Sequence, residues 1–290
     1  MNIQHFYDPN TFTLTYVVYD EATRDTIVID PVLDFDQQGA KITNESYLKV
    51  KDFISEHDLT VRLVLETHAH ADHLSGAPLF KADYPDALVG IGEHITQVQQ
   101  VFKGVYNLGD EVAEDGSQFD LLLKDGETVT AGSLTLKVIH TPGHTPACAS
   151  YLIDDAVFTG DALFMPDYGT GRCDFPRGDA DALYTSVHEK LYGLPDETRV
   201  FTGHDYQPGG RELAFESTIG ENKRNNVQLK MDTSREQYVQ FRRERDATLK
   251  APKLLYPSIQ VNIQAGHLPA PEANGRQYLK TPLNVAMQTS

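Results

Sequence analysis

Hydrophobic positions along this chain fall into short runs separated by polar turns. Thr13-Leu14-Thr15-Tyr16-Val17-Val18-Tyr19 is rich in β-branched and aromatic residues. Glu21 to Asp25 supplies a polar turn, and Thr26-Ile27-Val28-Ile29-Asp30 returns as a second strand. Ser46 to His57 carries Tyr47, Leu48, Phe53 and Ile54 at helical spacing, and Val61-Arg62-Leu63-Val64-Leu65 is a short apolar strand. The second half repeats this grammar. Leu134 to Ile139, Ala156 to Phe158 and Arg199 to Phe201 read as strands, and Asp179 to Leu191 reads as a helix. Beyond residue 216 the pattern turns helical, over Glu216 to Leu229 and Ser234 to Leu249, with Ser234 and Gln237 spaced as a capping box. Ile259, Val261 and Ile263 alternate as a short strand, and Pro- and Gly-bearing coil follows from Gly266. This predicts one body over 1–230 and a C-terminal extension, 231–290, packed on the same domain.

Four of the strands run directly into a polar loop holding His or Asp. The first is followed by His68-Ala69-His70-Ala71-Asp72-His73, the second by Thr141-Pro142-Gly143-His144-Thr145, the third by Thr159-Gly160-Asp161, the fourth by Thr202-Gly203-His204-Asp205-Tyr206. Strand ends of one sheet share an edge, so these loops can converge although they are far apart in sequence. Imidazoles mixed with carboxylates suit a transition metal, whereas carboxylates alone suit magnesium or calcium. Ala69 and Ala71 keep side-chain volume low where the ligands crowd. His5, His57, His94, His188 and His267 have no ligand-like sequence neighbours, and His140 reads as packed or supporting.

Composition narrows the chemistry. The two cysteines, Cys148 and Cys173, form neither a disulfide framework nor a zinc-type Cys-x-x-Cys pair, so a metal must rely on His and carboxylate. Their scarcity, together with an N-terminus lacking a basic-then-apolar leader, gives a cytoplasmic expectation. The formal net charge of -17 repels nucleic acid and anionic membrane surfaces. Against that background, nine basic residues lie between Lys223 and Lys253 beside four acidic ones. They form either a solvated face of mixed charge or a local positive field for a small anionic substrate.

The ordered set His-x-His-x-Asp-His, Thr-Pro-Gly-His-Thr, Thr-Gly-Asp and Gly-His resembles the metallo-β-lactamase superfamily over residues 10 to 230. The resemblance implies an α/β fold: an αβ/βα sandwich of two mixed β-sheets with external helices and a metal site at one edge. Two glutathione-linked branches are similar: glyoxalase II, a dinuclear thioester hydrolase, and the persulfide dioxygenase (sulfur dioxygenase) family. Gly160-Asp161-Ala162-Leu163, Gly171-Arg172-Cys173-Asp174-Phe175 and His204-Asp205-Tyr206 look like the second, in a longer bacterial type. That resemblance implies one Fe(II) per chain, with zinc as the alternative, on His68, His144 and Asp161. His70, Asp72, His73 and His204 then support the site or form a second metal site. It further implies oxidation of glutathione persulfide by O2 to sulfite and glutathione, with Arg172 and Tyr206 as substrate contacts, and a homodimer or tetramer. A structural pair with Asp174 is the competing role for Arg172, and Cys173 reads as a bystander. Two other functions compete: a zinc or dinuclear hydrolase of glutathione thioesters, and a non-catalytic metal-binding sensor.

Overall fold

The computed structural model of the chain describes residues 1–285. In chain order the strands are β1 (Asn2–Asp8), β2 (Thr13–Tyr19), β3 (Asp25–Ile29), β4 (Val32–Asp36), β5 (Lys41–Thr43), β6 (Thr60–Leu65), β7 (Leu74–Ser75), β8 (Leu88–Gly92), β9 (Leu121–Leu123), β10 (Thr128–Ala131), β11 (Leu134–His140), β12 (Ala149–Ile153), β13 (Ala156–Phe158), β14 (Arg199–Phe201) and β15 (Glu216–Thr218). The helices are α1 (Glu45–Glu56), α2 (Ala77–Asp83), α3 (Ile95–Tyr106), α4 (Ala180–Tyr184), α5 (Ile219–Asn225), α6 (Arg235–Asp246) and α7 (Leu255–Asn262).

Two six-stranded sheets carry the fold, ordered β1-β2-β3-β6-β8-β9 and β10-β11-β12-β13-β14-β15, with a small sheet β5-β4-β7 beside them. Both large sheets are mixed. β3, β6, β8 and β9 run parallel after an antiparallel β1-β2-β3 ribbon, and β13-β14 is the parallel pair of the second sheet. Side-chain alternation explains how the layers assemble. Leu14, Tyr16, Val18, Ile27, Ile29, Leu63 and Leu65 meet Leu136, Val138, Tyr151, Ile153, Phe158 and Phe201 between the sheets. Their alternates Val17, Val28 and Val64 face outward onto α1 and α3 through Tyr47, Ile54 and Phe102. Strands buried on both faces read as near-continuous apolar runs. The expected αβ/βα sandwich is borne out.

Two local expectations need correction. Ile259, Val261 and Ile263 lie in and just after a helix, α7. That helix is buried on nearly every side, so apolar residues at alternate positions carry no information about a strand there. Glu216–Thr218 is the edge strand β15; helix begins only at Ile219, where the Thr218 hydroxyl accepts the Glu221 N–H at 3.1 Å. The helix expected from Asp179 to Leu191 forms, α for one turn and π from Thr185 to Leu191, with Asp179 accepting the Asp181 and Ala182 N–H groups. The Ser234–Gln237 capping box forms as expected.

Among the described residues, those beyond 230 form no core of their own. Tyr238 is fully buried among Val157, Leu163 and Val200, and Leu255, Ile259 and Ile263 join the cluster containing Val17, Val28 and Val64. No described helix is long and apolar enough to cross a membrane.

Candidate metal centre

The loops after β6, β11, β13 and β14 meet at one edge of the sandwich. Ala149 N–H donates to the Thr67 carbonyl at 2.9 Å, and the Tyr151 hydroxyl donates to the Glu66 carbonyl at 2.7 Å, tying the sheets together beneath the loops. Two glycines are obligatory there. Gly143 has φ of 140°, and a Cβ would stand 2.5 Å from the Leu183 backbone nitrogen; Gly160 has φ of 49°, and a Cβ would stand 2.4 Å from the Thr67 hydroxyl. The turn at Gly143 delivers His144, and that at Gly160 delivers Asp161.

His68, His144 and Asp161 each offer a ligand atom within 4.8 Å of the others, and all three are buried. Each imidazole has one nitrogen committed elsewhere. His144 Nδ1 donates to the Arg172 carbonyl at 2.7 Å. His68 Nδ1 stands 3.0 Å from the Thr67 hydroxyl, which itself donates to Asp30 Oδ2 at 2.8 Å. Both bonds place the ring proton on Nδ1 and leave the Nε2 lone pair free. His68 Nε2 is buried without a hydrogen-bond partner, as is Asp161 Oδ1. Burial first, and then His70 and His144, hold His68 well below the ordinary histidine range, so it is neutral as a ligand must be. Orphaned buried polar atoms are costly, and their convergence here fits a divalent metal.

The other candidates surround this trio. Asp161 lies between His144 Nε2 at 3.5 Å and His204 Nε2 at 3.3 Å. His70, Asp72 and His73 form a second group of ligand atoms within 4.8 Å, and His204 Nε2 is 3.5 Å from Asp72. Burial opposes ionisation of Asp72, yet His204 and His73 hold its carboxyl well below the usual range. His70 is engaged from behind: its Nε2 is 3.0 Å from Asp30 and 3.4 Å from Glu66, contacts that lack hydrogen-bond alignment. Burial raises Glu66, while Asp30 falls because His70 and the Thr67 donors outweigh its burial. Neither carboxylate emerges from the sequence reading. Asp30 was findable, because Ile29-Asp30-Pro31 repeats the strand-then-ligand pattern; Glu66 ends β6 with no such signal.

A cavity of about 540 Å³ opens onto His144, Asp161 and Asp72, walled by Phe12, Phe164, Tyr168, Phe175 and Tyr206. Tyr206 stacks on Tyr168 at 4.7 Å, and its phenol makes no hydrogen bond among the described residues. Burial, then Asp161 and Asp72, push it well above the ordinary tyrosine range. Arg172 also lines the cavity, but its guanidinium is committed. It forks onto Asp174 with two bonds of 2.6 Å and donates to the Lys250 carbonyl at 2.7 Å. The basic run is only partly paired. Lys223, Arg235 and Arg242 pair with Asp196, Asp181 and Asp246, whereas Arg245 and Lys253 line the cavity without an ion pair among the described residues.

The C-terminal extension reaches the centre through one side chain. Asn262 Nδ2 donates to the His70 and His73 carbonyls at 2.8 Å each, and its Oδ1 accepts the Ser75 N–H at 2.8 Å. Nothing in the local sequence of α7 announces this clamp. Cys148 and Cys173 are buried, and burial pushes the Cys148 thiol up to about 12. His140 lies away from the trio, beside Glu93 and His94.

Known proteins share this fold. The profile of the Metallo-beta-lactamase superfamily matches residues 9–204. Among curated relatives, "Glyoxylase B2" of Dictyostelium discoideum is 47% identical, covering 99% of this chain and 98% of its own. A "Probable metallo-hydrolase" of Burkholderia pseudomallei is 45% identical over 98% and 99%. The human "Persulfide dioxygenase ETHE1, mitochondrial" is 32% identical over 70% of this chain and 68% of its own. The crystal structure of ETHE1 from Myxococcus xanthus superposes with a TM-score of 0.73 at 34% identity, covering 92% of this chain and all of that one. With both the fold and the ordered ligand loops in place, this chain belongs to the metallo-β-lactamase superfamily.

Proposed function

We propose that the chain is a mononuclear iron dioxygenase that oxidises glutathione persulfide to sulfite and glutathione. One observation carries this reading. His68, His144 and Asp161 bring three ligand atoms together, while His70, a further imidazole of the same loop, turns its Nε2 to Asp30 and Glu66. Two imidazoles and one carboxylate are the donor set of non-haem iron(II) oxygenases, with positions left open for substrate and O2. Bound there, iron would supply the electrons that activate O2, which zinc cannot. The likeness to persulfide dioxygenases in sequence and fold supports the same assignment.

The remaining steps belong to the protein. The aromatic wall gives the cavity an apolar lining beside the polar centre, which would shield a bound persulfide from water and strengthen the local electrostatics. Arg245 and Lys253 at the cavity are free to meet the two carboxylates of glutathione, so we assign them the anchoring role. Tyr206 stays protonated and can donate one hydrogen bond, while Arg172 braces the loop that orients His144 through its own carbonyl. The overall change balances as persulfide plus O2 plus water giving glutathione plus sulfite with two protons. The outer sulfur is oxidised, O2 is reduced, and the S–S bond breaks by hydrolysis.

A second reading rests on the intact His70, Asp72, His73 and His204 group, a donor set that suits a second metal and thioester hydrolysis. The names of the relatives at 45% and 47% identity favour it. Side-by-side assays separate the two. Sulfite release from glutathione persulfide at a rate at least a hundredfold above cleavage of S-lactoylglutathione is expected. The reverse preference would overturn the proposal in favour of the hydrolase.

A further inference from the structure

We propose that Glu93, His94 and His140 form a second, peripheral site for one zinc ion, which clips the two sheets together behind the His144 loop. Each residue offers a ligand atom within 4.8 Å of the others. Metal bonds of about 2.0–2.2 Å to His nitrogen and carboxylate oxygen set tetrahedral ligand atoms about 3.5 Å apart, and rotation of the half-buried Glu93 and His94 side chains supplies the closure. The three come from different layers. Glu93 and His94 follow β8 of the first sheet, and His140 ends β11 of the second.

His140 is already set for a metal. Its Nε2 is held by the Leu123 carbonyl at 2.8 Å, which places the proton there and leaves Nδ1 as the lone-pair nitrogen. The same carbonyl accepts the Glu93 N–H at 2.9 Å, so one atom of β9 fixes both partners. His94 caps α3 without any side-chain hydrogen bond to it, and its ring centroid is 5.1 Å from that of His140. Gly92 lets the layers approach, since a Cβ would stand 2.7 Å from the Ala147 carbonyl. Two imidazoles and a carboxylate without thiolate select a borderline transition ion over magnesium or calcium. The N-terminus of α3 opposes a cation, and Lys190 nearby is neutralised by Asp125 at 2.9 Å. The Glu93 carboxylate is therefore the decisive ligand.

Titration of the iron-loaded protein with zinc tests this, read by calorimetry, iron content and melting temperature. One zinc per chain beyond the resident iron is expected, with iron retained. A melting temperature higher by about 5 °C is expected at a hundredfold excess over Kd. Because His140 is buried, the informative variants are His94→Ala and Glu93→Gln, each expected to weaken zinc by at least tenfold. Wild-type affinity in both variants would overturn the proposal. So would absence of extra zinc, or zinc binding lost in His73→Ala but kept in His94→Ala, which would place the ion in the main centre.

Discussion

At the scale of single residues, the protein fixes ring protons before it fixes anything else. His68 and His144 each spend Nδ1 on a neighbour, the Thr67 hydroxyl and the Arg172 carbonyl, so Nε2 is presented on both. His144→Ala should therefore drop iron content below about a tenth of wild type. The variant should still fold, with a melting temperature no more than about 5 °C below the metal-free wild type, because the buried ring also satisfies the Arg172 carbonyl. Elemental analysis alongside a thermal melt checks this, and full iron occupancy would remove His144 from the centre. The thiols give a second test. With both cysteines buried and Cys148 raised to about 12, a thiol reagent at pH 8 should label neither in the folded chain and both after denaturation. Rapid labelling of the native protein would contradict the burial of Cys173 beside Arg172.

The ligand loops were legible in the sequence because His, Asp and Gly-bearing turns directly follow apolar strands. Their support was not. Asp30 follows an apolar strand as the ligand residues do, but its role beside His70 shows only in the fold, and Glu66 sits at a strand end where a carboxylate usually reads as solvated. Arg172 lines the cavity, as expected of a substrate contact, yet its bidentate bond to Asp174 leaves the guanidinium little freedom.

At the scale of elements, strand periodicity was informative and helix periodicity less so. β2, β3 and β6 split their side chains cleanly between two apolar layers, which is what makes their runs readable. α7 is buried nearly all round and so has no polar face to set a period, which is why it imitates a strand. Its Asn262 bonds to a loop about 190 residues away in sequence, a contact invisible to any local pattern. Asn262→Ala would leave the His70 and His73 carbonyls and the Ser75 N–H without partners. Unsatisfied buried groups cost about 1–3 kcal/mol each, so a loss of at least ~3 kcal/mol is expected by urea denaturation. Iron affinity should fall with it, since the clamp holds the backbone of the metal loop. An unchanged denaturation midpoint would show that α7 merely covers the edge.

At the scale of the whole molecule, charge and architecture pull in opposite directions. A chain of net charge -17 repels an anionic substrate, yet the cavity presents Arg245 and Lys253 unpaired. Reversing both, as Arg245→Glu with Lys253→Glu, should raise KM about tenfold or more with kcat nearly unchanged. The effect should shrink as ionic strength rises, because exposed charges are screened over about 8–10 Å. A change confined to kcat would mean that these residues act on the chemistry instead of the approach. The extension that carries them shares its apolar clusters with the body, so the cavity is completed by segments from both ends of the chain.

The most direct measurement of the central claim pairs metal content with oxygen stoichiometry on the purified protein. One iron per chain is expected, with one O2 consumed for each sulfite formed from glutathione persulfide. Two zinc ions per chain, no oxygen uptake and rapid cleavage of a glutathione thioester would contradict it.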